Sequence, residues 1–368
     1  DKLTGLRTHV ALNSGFKNFR DYKFQELGRF DYGVKECQDM HESIRSEIVP
    51  LVKGFYEERK KTLGFDSLRP WDMEVDITGK KPLHPFSTGN ELISKTRAAF
   101  TRIHPYFGAC IASMSELGHF DLESKANKAP GGYNYPLYET GAPFIFMNAV
   151  GTHRDLVTMV HEGGHAVHSF LTHSLELTGF KSFPSEVAEL ASMGMELISM
   201  DTWNEFYLNE EELNRAKREQ LEKIISLLPW IATVDKFQHW VYTNPGHSLE
   251  DRIKNWKIIL NEFSTGVVDH SGYEWAQTHS WQRQLHIFEV PFYYIEYAMA
   301  QLGAIALWRN YKTNPEKTVK EYTHALSLGY TKTLPEIYQA AGIRFDFSRA
   351  YIRELANFVK TEYEKLKS

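Results

Sequence analysis

The segment from Thr158 to His168 contains the pattern His-Glu-x-x-His within an apolar helical repeat. Residues four positions apart lie on the same face of an α-helix, so His161 and His165 can direct two ring nitrogens at one metal ion. Glu162 follows the first histidine, and its carboxylate can accept a proton from a water that the cation has made acidic. The segment therefore predicts a helix that carries a zinc site and a general base.

Two glycines, Gly163 and Gly164, lie between the histidines. Each glycine disfavours a helix by about 1 kcal/mol relative to alanine, so their presence in this helix needs a reason. We expect another backbone, or a substrate, to approach the helix closely at this point.

Composition narrows the class of protein. The chain has 368 residues, 42% of them apolar and 24% charged, with a formal net charge of -5. These values are typical of a globular protein of about two domains or one large two-lobed domain, and they do not favour a nucleic-acid partner. The apolar runs are too short to span a membrane, so no membrane partner is expected. The two cysteines, Cys37 and Cys110, form no CxxC motif, which argues against a disulfide framework or a thiolate zinc site and favours a cytoplasmic location.

Helical periodicity dominates the sequence, and only the segment 120–148 favours strands. Within this segment, Phe144 to Met147 form a short apolar run, and we predict a small antiparallel sheet just before the metal helix. Its edge could pair with an extended peptide, although a plain structural hairpin is an equal alternative. The later helices are predicted at 155–175, 184–205, 209–228, 230–243, 249–264, 272–284, 291–311, 315–327, 334–341 and 347–366. No sharp domain boundary is predicted.

A catalytic zinc usually has three protein ligands, so a third must follow the two histidines. The position six residues beyond His165 is Leu171, which excludes the metzincin arrangement with a third histidine. A helix that begins near Ser185 offers two carboxylates instead, Glu186 and Glu189. Spacing alone leaves both open.

The sequence His-Glu-Gly-Gly-His-Ala-Val-His, followed by Val-Ala-Glu-Leu-Ala-Ser, resembles the oligoendopeptidase F branch of the thimet oligopeptidase family of zinc peptidases. The segment 143–152 is similar to that branch as well. The resemblance implies that Glu189 is the third ligand. Glu186 would then lie in the first turn of its helix, where a negative charge suits the dipole. Glu196 is expected to contact a metal ligand without binding the metal itself. His168 is expected either to lie beyond the metal ligands in the same way or to pack in the core.

A second resemblance covers the segment 286–297. In this family a histidine and tyrosines from the corresponding segment face the zinc and donate hydrogen bonds to the tetrahedral intermediate. The resemblance implies these roles for His286, Tyr297 and Tyr294. Core packing is the alternative for an aromatic stripe of this kind.

The resemblance further implies a mainly α-helical, two-lobed zincin-type catalytic region over 1–368. Full-length relatives carry an additional N-terminal helical part, so we interpret the chain, which begins with Asp1, as a fragment without it. The predicted function is hydrolysis of internal bonds in short, unstructured oligopeptides, with one Zn²⁺ per chain. The alternatives are a dipeptidyl carboxypeptidase of the same family and a helical protein that binds metal or peptide without turnover.

Overall fold

A computed structural model describes residues 1–366, and it is mainly α-helical with one small sheet, which confirms the predicted fold class. The last two residues of the predicted catalytic region, 367 and 368, lie outside the described residues. The helices are α1 Lys2–Asn13, α2 Phe19–Glu26, α3 Val34–Ser43, α4 Val49–Leu63, α5 Gly89–Ile103, α6 Pro105–Glu116, α7 His153–Thr172, α8 Thr178–Lys181, α9 Ser185–Ser199, α10 Glu210–Thr243, α11 Leu249–Glu262, α12 Glu274–Thr278, α13 His286–Glu289, α14 Ile295–Thr313, α15 Pro315–Ser327, α16 Leu334–Ala340 and α17 Arg349–Lys365. None of these helices combines the length and apolarity needed to cross a membrane.

The chain forms two compact units, and each contains three separate segments. Unit 1 consists of Asp1–Lys80, Glu222–Ala298 and Asp346–Lys360, and unit 2 of Lys81–Leu221, Met299–Phe345 and the residues from Thr361 onward. Because the segments alternate, no single point in the sequence separates the units.

The sheet lies in unit 2 and has three strands, β1 Phe120–Glu123, β2 Tyr133–Tyr135 and β3 Phe144–Ala149, in the order β1-β3-β2. The antiparallel prediction holds for β2 and β3, but it is wrong for β1, which pairs with β3 in parallel. A short loop returns β2 directly along β3, whereas β1 lies on the other side of β3 and is reached by a longer crossover. The result is a mixed sheet with β2 at one edge.

Helix α7 follows the sheet and carries the His-Glu-x-x-His pattern. Its start is fixed by a capping box, in which the Thr152 hydroxyl accepts a hydrogen bond from the Asp155 backbone N–H and the Asp155 carboxylate accepts one from the Thr152 N–H. Apolar residues of the helix, including Leu156, Met159 and Val160, are fully buried. Buried apolar contacts therefore hold the helix, and with it the two histidines, in a fixed orientation.

The two glycines of α7 permit close packing, as the sequence predicts. A Cβ atom at Gly164 would lie 2.7 Å from the carbonyl oxygen of Ala191 and 2.7 Å from Cα of Ser192, both in α9. A Cβ atom at Gly163 would lie 2.8 Å from the ring of Phe100 in α5. The glycines thus let α9 and α5 pack directly on the backbone of the metal helix.

Two predicted helix boundaries in unit 1 are wrong. The break expected near Pro229 is absent, because α10 runs through this proline from Glu210 to Thr243. Proline removes one backbone hydrogen bond from a helix. Buried apolar residues on both sides of Pro229, among them Leu228 and Ile231, offset this loss and keep the helix continuous.

The helix predicted at 291–311 begins only at Ile295, because Phe292 has a left-handed backbone conformation with φ 66°. This conformation is unfavourable for a bulky residue and interrupts a right-handed helix. It is held in place by a hydrogen bond from the Phe292 N–H to Gln238 Oε1 at 2.8 Å, and Phe292 is fully buried.

The packing of α7 on α9 generates a prediction about Gly164. We expect Gly164→Ala to destabilise the protein by about 1–3 kcal/mol, because the added methyl group would overlap backbone atoms that cannot rotate away. Gly54 in α4 is the matched control, since its Cβ position faces open space. Gly54→Ala should instead stabilise by up to about 1 kcal/mol. Urea unfolding of both variants measures the difference, and equal effects would show that α9 does not constrain position 164.

Candidate metal and catalytic site

Three predicted ligands, His161, His165 and Glu189, come together in unit 2. Each offers one ligand atom, and these atoms all lie within 4.8 Å of one another. Oε2 of Glu189 is 3.4 Å from Nε2 of His161 and 3.9 Å from Nε2 of His165. Two imidazoles and one carboxylate on neighbouring helices form a donor set that zinc accepts.

The orientation of the His161 ring is set by Glu196 of α9. Nδ1 of His161 lies 2.6 Å from Oε1 of Glu196, and the other oxygen of Glu196 accepts a hydrogen bond of 2.6 Å from Nε2 of Gln220. A proton on Nδ1 leaves the lone pair of Nε2 directed toward Glu189, as a metal ligand requires. Glu196 therefore holds the ring of His161 in place, as the sequence suggests.

Glu189 is buried, with 6% of its surface exposed, and its side chain is held from within its own helix. The Ser192 hydroxyl donates a hydrogen bond of 3.1 Å to Glu189 Oε2. Burial opposes ionisation, but the hydrogen bond to His161 and the positive charge of His161 outweigh it, so the pKa of Glu189 lies below its ordinary value. An ionised carboxylate is the form that binds a metal ion.

The two histidines differ in their electrostatic environment. Burial disfavours charge on His161, but hydrogen bonds to Glu189 and Glu196 outweigh burial and raise its pKa well above the ordinary value. Burial lowers the pKa of His165 to about 4, against the opposing charge of Glu189. His165 is therefore neutral near pH 7, whereas a metal ion that binds His161 must displace a proton.

The predicted general base, Glu162, is buried with 6% of its surface exposed. Burial is the largest influence and raises its pKa to about 7; the charges of Glu189 and Glu196 add to this, while His161 and the backbone N–H of Asn134 oppose it. A base is most effective when its pKa is close to the working pH, and Glu162 meets this condition.

The edge strand β2 lies beside Glu162, since the backbone of its central residue, Asn134, hydrogen-bonds to the Glu162 carboxylate. On the same part of unit 2, an open apolar pocket of about 550 Å³ is lined by Tyr133, Tyr135, Leu137 and Phe144. The helix that carries the His-Glu-x-x-His pattern and the edge of a strand thus lie next to each other.

Two other residues named from the sequence do not join the cluster. Glu186 is buried in the first turn of α9, one turn before Glu189, and lies outside the group of ligand atoms. His168 is fully buried and stacks on the ring of Phe183, with ring centroids 3.6 Å apart, so it occupies a packing position.

His286, Tyr294 and Tyr297 come together in unit 1. The ring centroids of His286 are 4.8 Å from Tyr294 and 5.8 Å from Tyr297, and the two tyrosines are 5.5 Å apart. Gln284 donates a hydrogen bond of 2.7 Å to Nδ1 of His286 and accepts one of 2.9 Å from the indole of Trp230. Tyr294 is buried, whereas His286 and Tyr297 are partly exposed.

Sequence reasoning missed the supporting residues Ser192, Gln220 and Asn134. Ser192 lies three positions after Glu189 on the same helix, a spacing that could have indicated the contact. Gln220 is 24 residues from Glu196 and Asn134 is on a separate strand, so no local pattern indicates either.

Comparison with known proteins places these features in a family. The profile of Peptidase family M3, a family of metallopeptidases, matches residues 1–357. The chain therefore belongs to Peptidase family M3, and the resemblance to oligoendopeptidase F is confirmed.

Two bacterial relatives support this assignment. An oligoendopeptidase F homolog of Lactococcus lactis subsp. lactis is 26% identical over 354 residues, which cover 92% of this chain and 56% of the relative. The oligopeptidase PepF of Bacillus subtilis is 25% identical over 311 residues, covering 80% of this chain and 44% of the relative. The chain thus spans about half the length of these relatives.

The fold agrees with a solved structure of PZ peptidase A with an inhibitor. The two superpose with a TM-score of 0.92 at 28% sequence identity, over 99% of this chain and 64% of the other. The chain therefore has the same fold as about two thirds of that protein.

The geometry generates a prediction about the third ligand. We expect Glu189→Ala to weaken zinc binding by more than the roughly 10–100-fold typical for loss of a supporting residue, because a direct donor is removed. Glu186→Ala is the matched control, a buried glutamate on the same helix outside the cluster. Competition with a zinc chelator measures both affinities, and circular dichroism checks folding. If Glu186→Ala loses zinc while Glu189→Ala keeps it, Glu186 is the ligand.

Proposed function

We propose that this chain is the catalytic region of a zinc-dependent endopeptidase that hydrolyses internal bonds of short, unstructured oligopeptides. The observation that carries the proposal is the position of Glu162 next to His161 and His165 on α7, with Glu189 within 4.8 Å of both histidines. A metal cluster alone would suit a binding protein. A buried carboxylate with a pKa of about 7 beside the cluster is what hydrolysis additionally requires.

The donor set fits one zinc ion per chain. His161, His165 and Glu189 would hold it, with Glu196 fixing His161 and Ser192 fixing Glu189. When bound, zinc polarises the carbonyl of the scissile bond and makes a water molecule more acidic. Three protein ligands leave a position for water, as in catalytic rather than structural zinc sites.

The residues of the chain then divide the remaining work. Glu162 takes a proton from the attacking water and passes it to the nitrogen of the leaving amine, so the carboxylate is regenerated in each turnover. Its burial excludes bulk water from the proton during this transfer.

Substrate binding follows from the edge of β2. An extended peptide can add to an open strand edge through main-chain hydrogen bonds, and this mode requires a flexible peptide. Tyr133 and Tyr135 are half-exposed on this strand and line the apolar pocket, which can receive substrate side chains. This arrangement supports oligopeptides as partners.

The roles of His286, Tyr294 and Tyr297 as donors to the reacting carbonyl stay predictions from the family resemblance. A neutral donor directed at the developing oxyanion can contribute a few kcal/mol to the rate. We also retain a cytoplasmic location as a proposal. It is supported by two buried cysteines, Cys37 and Cys110, without a disulfide between them.

The role of Glu162 is tested by Glu162→Gln, which keeps the size of the side chain but cannot accept a proton. We expect kcat to fall by roughly 10²–10⁴-fold, with zinc content unchanged. A quenched fluorescent peptide, assayed with and without a chelator, measures turnover, and elemental analysis measures zinc. Glu186→Gln should keep full activity. Loss of zinc from the Glu162 variant would make Glu162 a ligand, and full activity without its carboxylate would contradict the mechanism.

The position of cleavage separates an endopeptidase from a dipeptidyl carboxypeptidase. We expect a peptide amidated at its C-terminus to be cut at the same internal bonds as its free-acid form. The reason is that strand addition binds the peptide through its main chain and does not require the terminal carboxylate. Mass spectrometry of the products from both peptides measures this. Release of C-terminal dipeptides from the free acid alone would favour the carboxypeptidase. Tight binding of both peptides without any product would favour the binding protein.

A further inference from the structure

A second group of potential metal ligands lies in unit 1. Cys37 of α3 and Asp235 and His239 of α10 each offer one ligand atom, and these atoms all lie within 4.8 Å of one another. Asp235 and His239 are four positions apart and therefore share one face of α10. Cys37 and Asp235 are fully buried, and His239 is 6% exposed. None of the three belongs to the His-Glu-x-x-His helix or to the residues around it.

The hydrogen bonds within this group are unevenly distributed. Oδ2 of Asp235 lies 2.8 Å from Nε2 of His41 and 3.1 Å from Nε2 of His239, so two ring nitrogens approach one oxygen. Oδ1 of Asp235 and Nδ1 of His239 are also buried, yet neither has a hydrogen-bond partner among residues 1–366. Buried polar atoms in proteins are almost always paired, so two unpaired atoms in one cluster indicate a bound group.

The charge balance of the region suits a divalent cation. A thiolate at Cys37 and the carboxylate of Asp235 would together neutralise two positive charges. Three cations lie near the group, and each is already paired with a carboxylate. Arg29 interacts with Cys37 but is paired with Glu296 at 2.6 Å. Lys236 is paired with Glu262, and Arg45 with Glu42 at 2.5 Å. The carboxylate of Glu296 therefore reduces the repulsion that Arg29 would exert on a metal ion.

A pocket connects the group with the surface. It has a volume of about 280 Å³, and its lining residues are Gln38, His41, Glu42, Arg45, Lys236, His239 and Phe263. Gln38 and Glu42 are exposed, whereas His41 is 3% exposed. An ion can reach His239 along this pocket, and the pocket has room for a water molecule as a fourth ligand.

We propose that Cys37, Asp235 and His239 form a second metal site, which takes a thiophilic divalent ion of the Zn²⁺ class. A mixed sulfur, nitrogen and oxygen donor set is one that zinc accepts, whereas Mg²⁺ and Ca²⁺ prefer oxygen ligands only. His41 orients the Asp235 carboxylate from outside, as carboxylate-histidine pairs do around metal ions. The site would join α3 to α10. It has no CxxC motif, which is why the sequence argued against a thiolate site.

Metal stoichiometry of the whole chain tests the site. After equilibration with excess Zn²⁺ and removal of free ion, we expect about two zinc ions per chain. His161→Ala and His239→Ala should each retain about one, and the double variant should retain none. Cys110→Ser is the matched control, since Cys110 is the other buried cysteine and lies outside both groups, and it should retain both ions.

Cobalt gives a readout that can be taken on the unaltered protein, so the main result needs no variant. Co²⁺ bound to a thiolate produces a sulfur-to-metal charge-transfer band in the near ultraviolet, and the His161 site contains no cysteine. The band should appear in the unaltered protein and in His161→Ala, and be lost in Cys37→Ser. One zinc ion per chain, together with no such band in the unaltered protein at saturating Co²⁺, would overturn the proposal. Cys37, Asp235 and His239 would then form only a buried hydrogen-bonded cluster.

Discussion

The candidate catalytic site depends on the close contact between α7 and α9. Gly164 has no side chain, and its Cα lies against the backbone of Ala191 and Ser192. This contact brings Glu189 close to His161 and His165, because Glu189 lies just before these residues in α9. A bulkier residue at position 164 would separate the helices and lengthen the distance between Glu189 and the histidines. Glycine lowers the intrinsic stability of α7. This loss is offset because the close packing at Gly164 positions Glu189 near the two histidines.

The same packing also supplies the supporting contacts. Glu196 is seven positions beyond Glu189, two turns along α9, so both carboxylates point toward α7. One contacts Nε2 of His161 and the other contacts Nδ1, so a single helix fixes both sides of the ring. Gln220 then fixes Glu196 through its second oxygen. Rigid support of this kind is what a metal site needs if its geometry is to stay constant during turnover.

Sequence could predict what depends on local spacing. The His161 and His165 pair, the base between them and the helix that carries them all follow from periodicity along one segment. The sequence does not show that Glu189 and not Glu186 lies near the two histidines, because this depends on which turn of α9 faces α7. The parallel pairing of β1 with β3 is also not visible in the sequence, because the residues of such short strands do not indicate the direction in which they pair. Pro229 shows the reverse case, in which tertiary packing overrides a strong local signal.

Three buried carboxylates lie close together at the candidate site. Glu162, Glu189 and Glu196 are each at most 8% exposed, and carboxylates so deeply buried repel one another strongly unless positive charge lies among them. The structure provides part of this charge through His161, whose pKa the carboxylates raise. Burial is the main cause that raises the pKa of Glu162 to about 7, and repulsion from Glu189 and Glu196 adds to it. A buried carboxylate among other carboxylates is costly, and groups with such perturbed pKa values cluster at functional sites.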